Sequence, residues 1–76
     1  MIDQTEALEM SSTQRRFLQI RSADGDRWNL LMCISRKASS GDWNEDAWKV
    51  IESGSLEEMR AALKRIKAQS SRLFPS

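Results

Sequence analysis

The sequence of 76 residues contains no histidine, and only one cysteine, one proline and three glycines. Without histidine the chain cannot form a Ser-His-Asp or Cys-His catalytic group, a histidine general base or an imidazole metal site. A lone cysteine, Cys33, excludes an intrachain disulfide and a multi-thiolate zinc site, and it is typical of a reducing compartment. We therefore expect a cytoplasmic protein that is not an enzyme and that needs no cofactor or metal.

Long apolar runs are also missing, and none approaches the roughly 20 residues of a membrane span. The first ten residues are acidic and lack the basic and then apolar layout of a secretion signal. The three glycines are isolated from one another, so they do not form a phosphate-binding loop. The acidic residues in 42–46 lack the ligand spacing of a calcium loop. The sequence thus predicts neither a membrane partner nor a nucleotide or metal site.

Charge is nearly balanced, at +1, but it is segregated along the chain. Residues 1–14 carry −3, residues 15–37 carry +4, residues 38–58 carry −5 and residues 59–76 carry +5. One interpretation is that loops and helix ends carry charges suited to their local fields. Another is that two basic patches serve an acidic partner, or that basic and acidic surfaces associate head to tail.

The segment from Phe17 to Ile34 reads as a β-hairpin, because apolar residues alternate on both sides of a turn. A three-residue loop, Ala23-Asp24-Gly25, places Ile20 opposite Trp28. In this register one face collects Leu18, Ile20, Trp28, Leu30, Met32 and Ile34. The other face collects Phe17, Gln19, Arg21, Arg27, Asn29, Leu31 and Cys33, with Phe17 opposite Leu31.

The C-terminal half predicts a helix over residues 55–69. Ser55 and Glu58 have the spacing of a capping box. An apolar stripe follows at helical spacing, formed by Leu56, Met59, Ala62, Leu63 and Ile66. Residues 46–53 favour a third strand with Trp48 and Val50 on the core face, because Trp, Val and Ile favour strands. A short helix capped by Asn44 is the alternative for this segment.

These elements predict an α+β fold, in which an antiparallel β-meander packs against one C-terminal helix. The meander consists of the hairpin 15–36 and the third strand 46–53, and the alternative fold is a hairpin followed by two helices. Residues 1–13 show weak spacing and are expected to form a flexible tail. Residues 14–76 are expected to form one small domain.

One face of this sheet has no cover in the predicted fold, and an exposed aromatic and aliphatic cluster is a feature of interaction sites. We therefore expect a protein–protein interaction module that masks or bridges a partner protein. Such a role suits a small inhibitor or accessory protein of a bacterium or a mobile element, acting alone or as a homodimer. The candidate partner-binding residues are Phe17, Arg21, Leu31, Cys33, Trp43 and Phe74.

Nucleic-acid binding is the alternative function, because a sheet face with an aromatic and arginines can stack bases and bind phosphates. The isoelectric point of about 7.9 is below the values typical of nucleic-acid-binding domains. The candidate residues for this role are Arg15, Arg16, Arg21, Arg27, Lys64 and Arg65.

Overall fold

A computed structural model describes the backbone of residues 1–73, and the side chains of all of these except residues 9, 10 and 70–73. The chain forms an antiparallel sheet and one C-terminal helix, so the predicted α+β class is confirmed. The elements are β1 (Ile2–Ser11), β2 (Gln14–Ser22), β3 (Trp28–Lys37), β4 (Trp43–Glu45), β5 (Lys49–Gly54) and α1 (Leu56–Leu73).

Within residues 1–73 the sheet has five strands, whereas the sequence predicted three. Strands β1, β2 and β3 follow one another in space, and both β4 and β5 pair with the far side of β3. The third strand begins at Lys49 rather than at residue 46, because residues 46–48 connect β4 to β5. The alternative of a second helix in residues 44–53 is excluded, since this segment holds strand and connecting residues only.

Strand β1 occupies the region that the sequence predicted to be a tail. It pairs antiparallel with β2, with Glu6 opposite Leu18 and Leu8 opposite Arg16. An apolar alternation does not mark this strand, because two of its positions on the helix side are the polar Gln4 and Glu6. A sheet edge tolerates such residues, since charge there also discourages pairing with foreign strands.

The hairpin register differs from the predicted one by two residues. Ser22 lies opposite Trp28 and Ile20 lies opposite Leu30, so the loop spans residues 23–27. Backbone hydrogen bonds close it, from the Ala23 amide to the Arg27 carbonyl at 2.8 Å and from the Arg27 amide to the Asp24 carbonyl at 3.2 Å. Gly25 adopts the expected left-handed conformation, with φ of 62°. A shift of two residues leaves every strand side chain on its predicted face, because the side-chain period is two.

Helix α1 covers the predicted apolar face of the hairpin. Leu18, Ile20 and Leu30 are completely buried there, and they pack in one cluster with Met59 and Leu63 of the helix. The predicted capping box is present, since the Glu58 amide donates to the Ser55 hydroxyl and the Ser55 amide donates to the Glu58 carboxylate, both at 3.2 Å. The helix therefore starts where the sequence predicts.

Ion pairs connect the helix to both outer strands. Arg60 contacts Asp3 of β1 at 2.8 Å, Lys67 contacts Glu6 of β1 at 3.1 Å, and Arg65 contacts Glu52 of β5 at 3.0 Å. The acidic first segment and the basic last segment of the chain thus neutralise each other within the molecule. Much of the charge segregation seen in the sequence therefore serves the fold.

The ion pairs on β1 should make stability depend on pH. The hydrogen bond from Arg60 lowers the pKa of Asp3, and the hydrogen bond from Lys67 lowers the pKa of Glu6. A carboxyl group with a lowered folded-state pKa stabilises the fold above its unfolded pKa, and this stabilisation disappears as the pH falls through the folded-state value. We expect Arg60→Ala to reduce the loss of thermal stability that occurs between about pH 5 and pH 3.

Lys64→Ala is the matched control, because it removes one positive charge from the same helix. Lys64 has no ion-pair partner among the residues that the structure describes. Thermal unfolding of the wild type and both variants from pH 7 to pH 3 checks the prediction. An Arg60→Ala profile that parallels that of the wild type would contradict a role for the Asp3 pair.

Candidate functional site

The face of the sheet that is turned away from α1 is here called the open face. Strand β2 contributes Arg15, Phe17, Gln19 and Arg21 to it, and β3 contributes Asn29, Leu31, Cys33, Ser35 and Lys37. Trp43 and Glu45 of β4 lie opposite Lys37 and Ser35, and therefore share this face. The open face thus combines aromatic, basic and polar side chains along the length of the hairpin.

The centre of the open face is not exposed, contrary to what the sequence suggested. Leu31 is 9% exposed, Cys33 is 1% exposed and Ser35 is 2% exposed. Other parts of the same chain supply this cover. Three residues with bulky rings are half-buried on this face, namely Phe17, Trp43 and Trp48. The accessible layer of the open face therefore includes aromatic and basic side chains, whereas Leu31 and Cys33 lie beneath it.

Arg15 and Trp43 form one end of this accessible layer. Arg15 begins β2 opposite Ser35 of β3, and Glu45 of β4 lies opposite the same serine. This arrangement brings β4 beside Arg15 across a single strand, and the guanidinium carbon lies 4.2 Å from the centre of a Trp43 ring. A guanidinium over an indole face is attracted by the ring quadrupole, so each side chain restricts the other.

Arg21 and Trp48 form a second pair of the same kind at the other end of β2. The guanidinium carbon of Arg21 lies 5.0 Å from the centre of a Trp48 ring, and its Nε donates to the Gln19 side-chain carbonyl. Gln19 in turn donates from Nε2 to the Thr5 hydroxyl of β1 at 3.2 Å. Arg21 is therefore oriented from two sides, by an indole and by a chain of hydrogen bonds that reaches β1.

The connection between β4 and β5 positions Trp48. The Asp46 amide donates to the Ile34 carbonyl at 2.9 Å, and the Cys33 thiol lies 3.0 Å from the Asp46 carbonyl that it donates to. These contacts hold the connection against β3. Burial raises the pKa of the Cys33 thiol, and the nearby Glu45 and Asp46 charges raise it further. The burial of Cys33 and the raised pKa of its thiol favour a structural role over a nucleophilic one.

The structure brings most of the predicted partner-binding residues together on the open face. Phe17 lies opposite Cys33 rather than Leu31, and Arg21 and Trp43 lie in the accessible layer. Leu31 and Cys33 are on the predicted face but beneath this layer, and Phe74 lies outside the described residues. Sequence reasoning placed Trp48 on the core face, whereas its contact with Arg21 places it on the open face.

The residues proposed for nucleic-acid binding do not form one patch. Arg15 and Arg21 lie on the open face, but Arg16 is on the helix side opposite Ile34. Its Nε is buried and has no hydrogen-bond partner among the residues that the structure describes. Arg27 is exposed in the hairpin loop and Lys64 is exposed on α1. Arg65 is in the ion pair with Glu52.

Within the described part of the chain, no three Cys, Asp or Glu side chains gather in a way that could hold a metal ion. Likewise, α1 as described is not long and apolar enough to cross a membrane. Comparisons of the chain with protein-family models, curated proteins and solved structures found no match. The open face itself is therefore the basis for inferring a function.

Proposed function

We propose that this chain is a non-enzymatic protein–protein interaction module that binds an acidic partner protein through its open face. It acts in the cytoplasm, where it masks or bridges that partner as a small inhibitor or accessory protein. The observation that carries the proposal is the presence of two Arg–Trp pairs on one face, Arg15 with Trp43 and Arg21 with Trp48.

Tryptophan and arginine are among the residue types that are enriched at binding hot spots. The two arginines lie six residues apart on β2, which is about 20 Å along the strand. Arg21 is already held over an indole and by the Gln19 side chain, so a partner carboxylate meets a guanidinium that loses little further freedom on binding. Phe17 lies between the two pairs and offers an apolar contact. This layout is suited to a partner surface with an apolar centre and acidic ends.

Nucleic-acid binding is the second candidate function. The burial of Leu31 and Cys33 favours it, because these two side chains do not interrupt the accessible surface as the sequence suggested. Their burial leaves arginines and aromatic rings in the accessible layer, which suits bases and phosphates. However, Glu45 shares the open face, and Asp42 and Asp46 flank the strand that carries Trp43. A phosphate backbone would be repelled by this acidic segment, whereas a protein surface can place a cation there. The protein partner is therefore the better match.

Phe17→Asp tests the proposed function. This substitution places a negative charge between the two arginines and removes the apolar centre. We therefore expect the variant to capture no partner protein. Tagged wild type and variant are used to capture binding proteins from a nuclease-treated lysate of the source organism. Ala61→Asp is the matched control, because it adds the same charge at an exposed position on α1.

Circular dichroism shows whether both variants remain folded. Retention of the same protein by Phe17→Asp and by the wild type would contradict the proposal. Loss of the partner from the wild type after nuclease treatment would instead indicate nucleic-acid binding.

A further inference from the structure

Strand β5 offers an unpaired edge with exposed apolar side chains. It pairs with β3 on one side, and the described part of the chain places no strand on its other side. Val50 and Ile51 are neighbours in β5, and both are exposed, Val50 at 53% and Ile51 at 38%. An exposed apolar edge can pair with another strand. The order of side chains along β5 determines which strand can pair with it.

A bulge gives β5 an unusual order of side chains. Glu52 lies opposite Leu30 and Val50 lies opposite Leu31, so Ile51 is an extra residue between two adjacent positions of β3. Glu52 shares the helix side of the sheet with Leu30, and its ion pair with Arg65 agrees with this. Val50 shares the open face with Leu31, and Lys49 shares the helix side with Met32. Ile51 precedes Glu52, and strand alternation therefore places it on the open face beside Val50.

This order is self-complementary. When two copies of β5 are placed antiparallel about a two-fold axis normal to the sheet, Lys49 of each copy lies opposite Glu52 of the other, on the helix side. Val50 of each copy then lies opposite Ile51 of the other, on the open face. The Val50–Ile51 pair is apolar on both sides, and the Lys49–Glu52 pair joins opposite charges, so both pairs are favourable. In a regular strand this register is impossible, because adjacent residues would point to opposite faces.

We infer that β5 pairs with β5 of a second copy, so that the protein forms a symmetric dimer with one continuous sheet. The inference rests on the proposed interaction function and names a second copy as one partner. A bulged edge resists pairing with a regular foreign strand, whereas a second copy carries the same bulge and therefore the same offset. The side chain of Glu52 is 41% exposed beside Arg65, which leaves it accessible to a second cation.

The geometry of this dimer has a consequence for the open face. A two-fold axis normal to the sheet keeps both helices on one side and both open faces on the other. Two partner-binding faces then lie side by side. The dimer can therefore bridge two partner molecules or bind one partner bivalently.

Charge exchange at Lys49 and Glu52 tests the dimer. The mass of the full chain is measured by light scattering over a range of concentrations, for the wild type, Lys49→Glu and Glu52→Lys. We expect the wild type to dimerise and each variant to dimerise about tenfold or more weakly, because two pairs change from attraction to repulsion. An equimolar mixture of the two variants should dimerise as the wild type does, since every Glu then faces a Lys.

Arg65→Ala is the matched control, because it removes the partner of Glu52 within the chain and leaves the β5 edge unchanged. This variant should dimerise like the wild type. A wild type that stays monomeric at all concentrations, or single variants that dimerise normally, would overturn the inference, and so would a mixture that fails to restore the dimer. Phe17→Asp should still dimerise, so failure of the dimer and failure of the open face give different results.

Discussion

Leu30→Ala should destabilise the domain by about 3 kcal/mol, since removing a buried leucine side chain costs about 2–5 kcal/mol. Leu30 is completely buried, lies on the central strand β3 and packs in the cluster beneath α1. A domain of 76 residues has a total stability of only about 4–11 kcal/mol, so this loss is a large share. The thermal midpoint should fall by about 15 °C.

Ile2→Ala is the control for this experiment. Ile2 is 53% exposed at the start of β1, and its truncation removes a comparable group from a site that is open to water. We expect it to cost less than about 0.5 kcal/mol. Thermal or denaturant unfolding of both variants measures the difference. An equal loss in the two variants would contradict the position of the core between β3 and α1.

The double substitution Arg15→Ala/Arg21→Ala should weaken binding of the partner by at least about a hundredfold. Hot-spot side chains commonly contribute 2 kcal/mol or more each, and a factor of ten corresponds to about 1.4 kcal/mol. Both arginines lie in the accessible layer and are oriented over indole rings. Titration of the captured partner protein with each variant gives the dissociation constants.

Arg27→Ala/Lys64→Ala is the matched control, because it removes the same charge from two exposed positions outside the open face. A protein partner that docks on the open face should bind this control within about threefold of the wild type, since rim charges contribute little. Equal weakening by both double variants would show that net charge alone determines binding. This outcome, with an affinity that falls steeply with salt, would favour a nucleic-acid partner.

The faces of the hairpin could be predicted from the sequence, although its register could not. Apolar alternation in residues 17–34 determines which side chains share a face, and a shift of two residues preserves that pattern. The loop length is determined instead by the local hydrogen bonds of Ala23 and Arg27. Both a three-residue and a five-residue loop place Gly25 at a position that accepts a positive φ. The prediction of Phe17 opposite Leu31 was therefore wrong, whereas the prediction of its face is correct.

The helix was the most predictable element, because its signals are local. The capping box and the apolar stripe each depend on residues within a few turns of one another. Strand β1 was not predictable in this way. Its polar residue Glu6 faces the helix because it forms an ion pair with Lys67, which is far away in the sequence. Strand β4 has only three residues, which is too short for a periodic signal.

The candidate site was predicted in part. The aromatic and basic character of the open face was visible in the hairpin, but Trp48 was assigned to the core because it was treated as a strand residue. In the structure the bulge and the connection at residues 46–48 reverse the expected facing of this segment. A bulge depends on packing between strands, so the sequence of one strand does not reveal it. Cys33 lies against the same connection, because its thiol donates to the Asp46 carbonyl.

The most direct test of the open face as the binding surface uses the indole signals of the three tryptophans in an NMR titration. Trp43 and Trp48 lie on the open face, whereas Trp28 packs against the core cluster on the helix side. On addition of the captured partner protein, the indole N–H signals of Trp43 and Trp48 should shift or broaden, while that of Trp28 should stay in place. A saturating titration that moves only the Trp28 signal, or none of the three, would contradict binding through the open face.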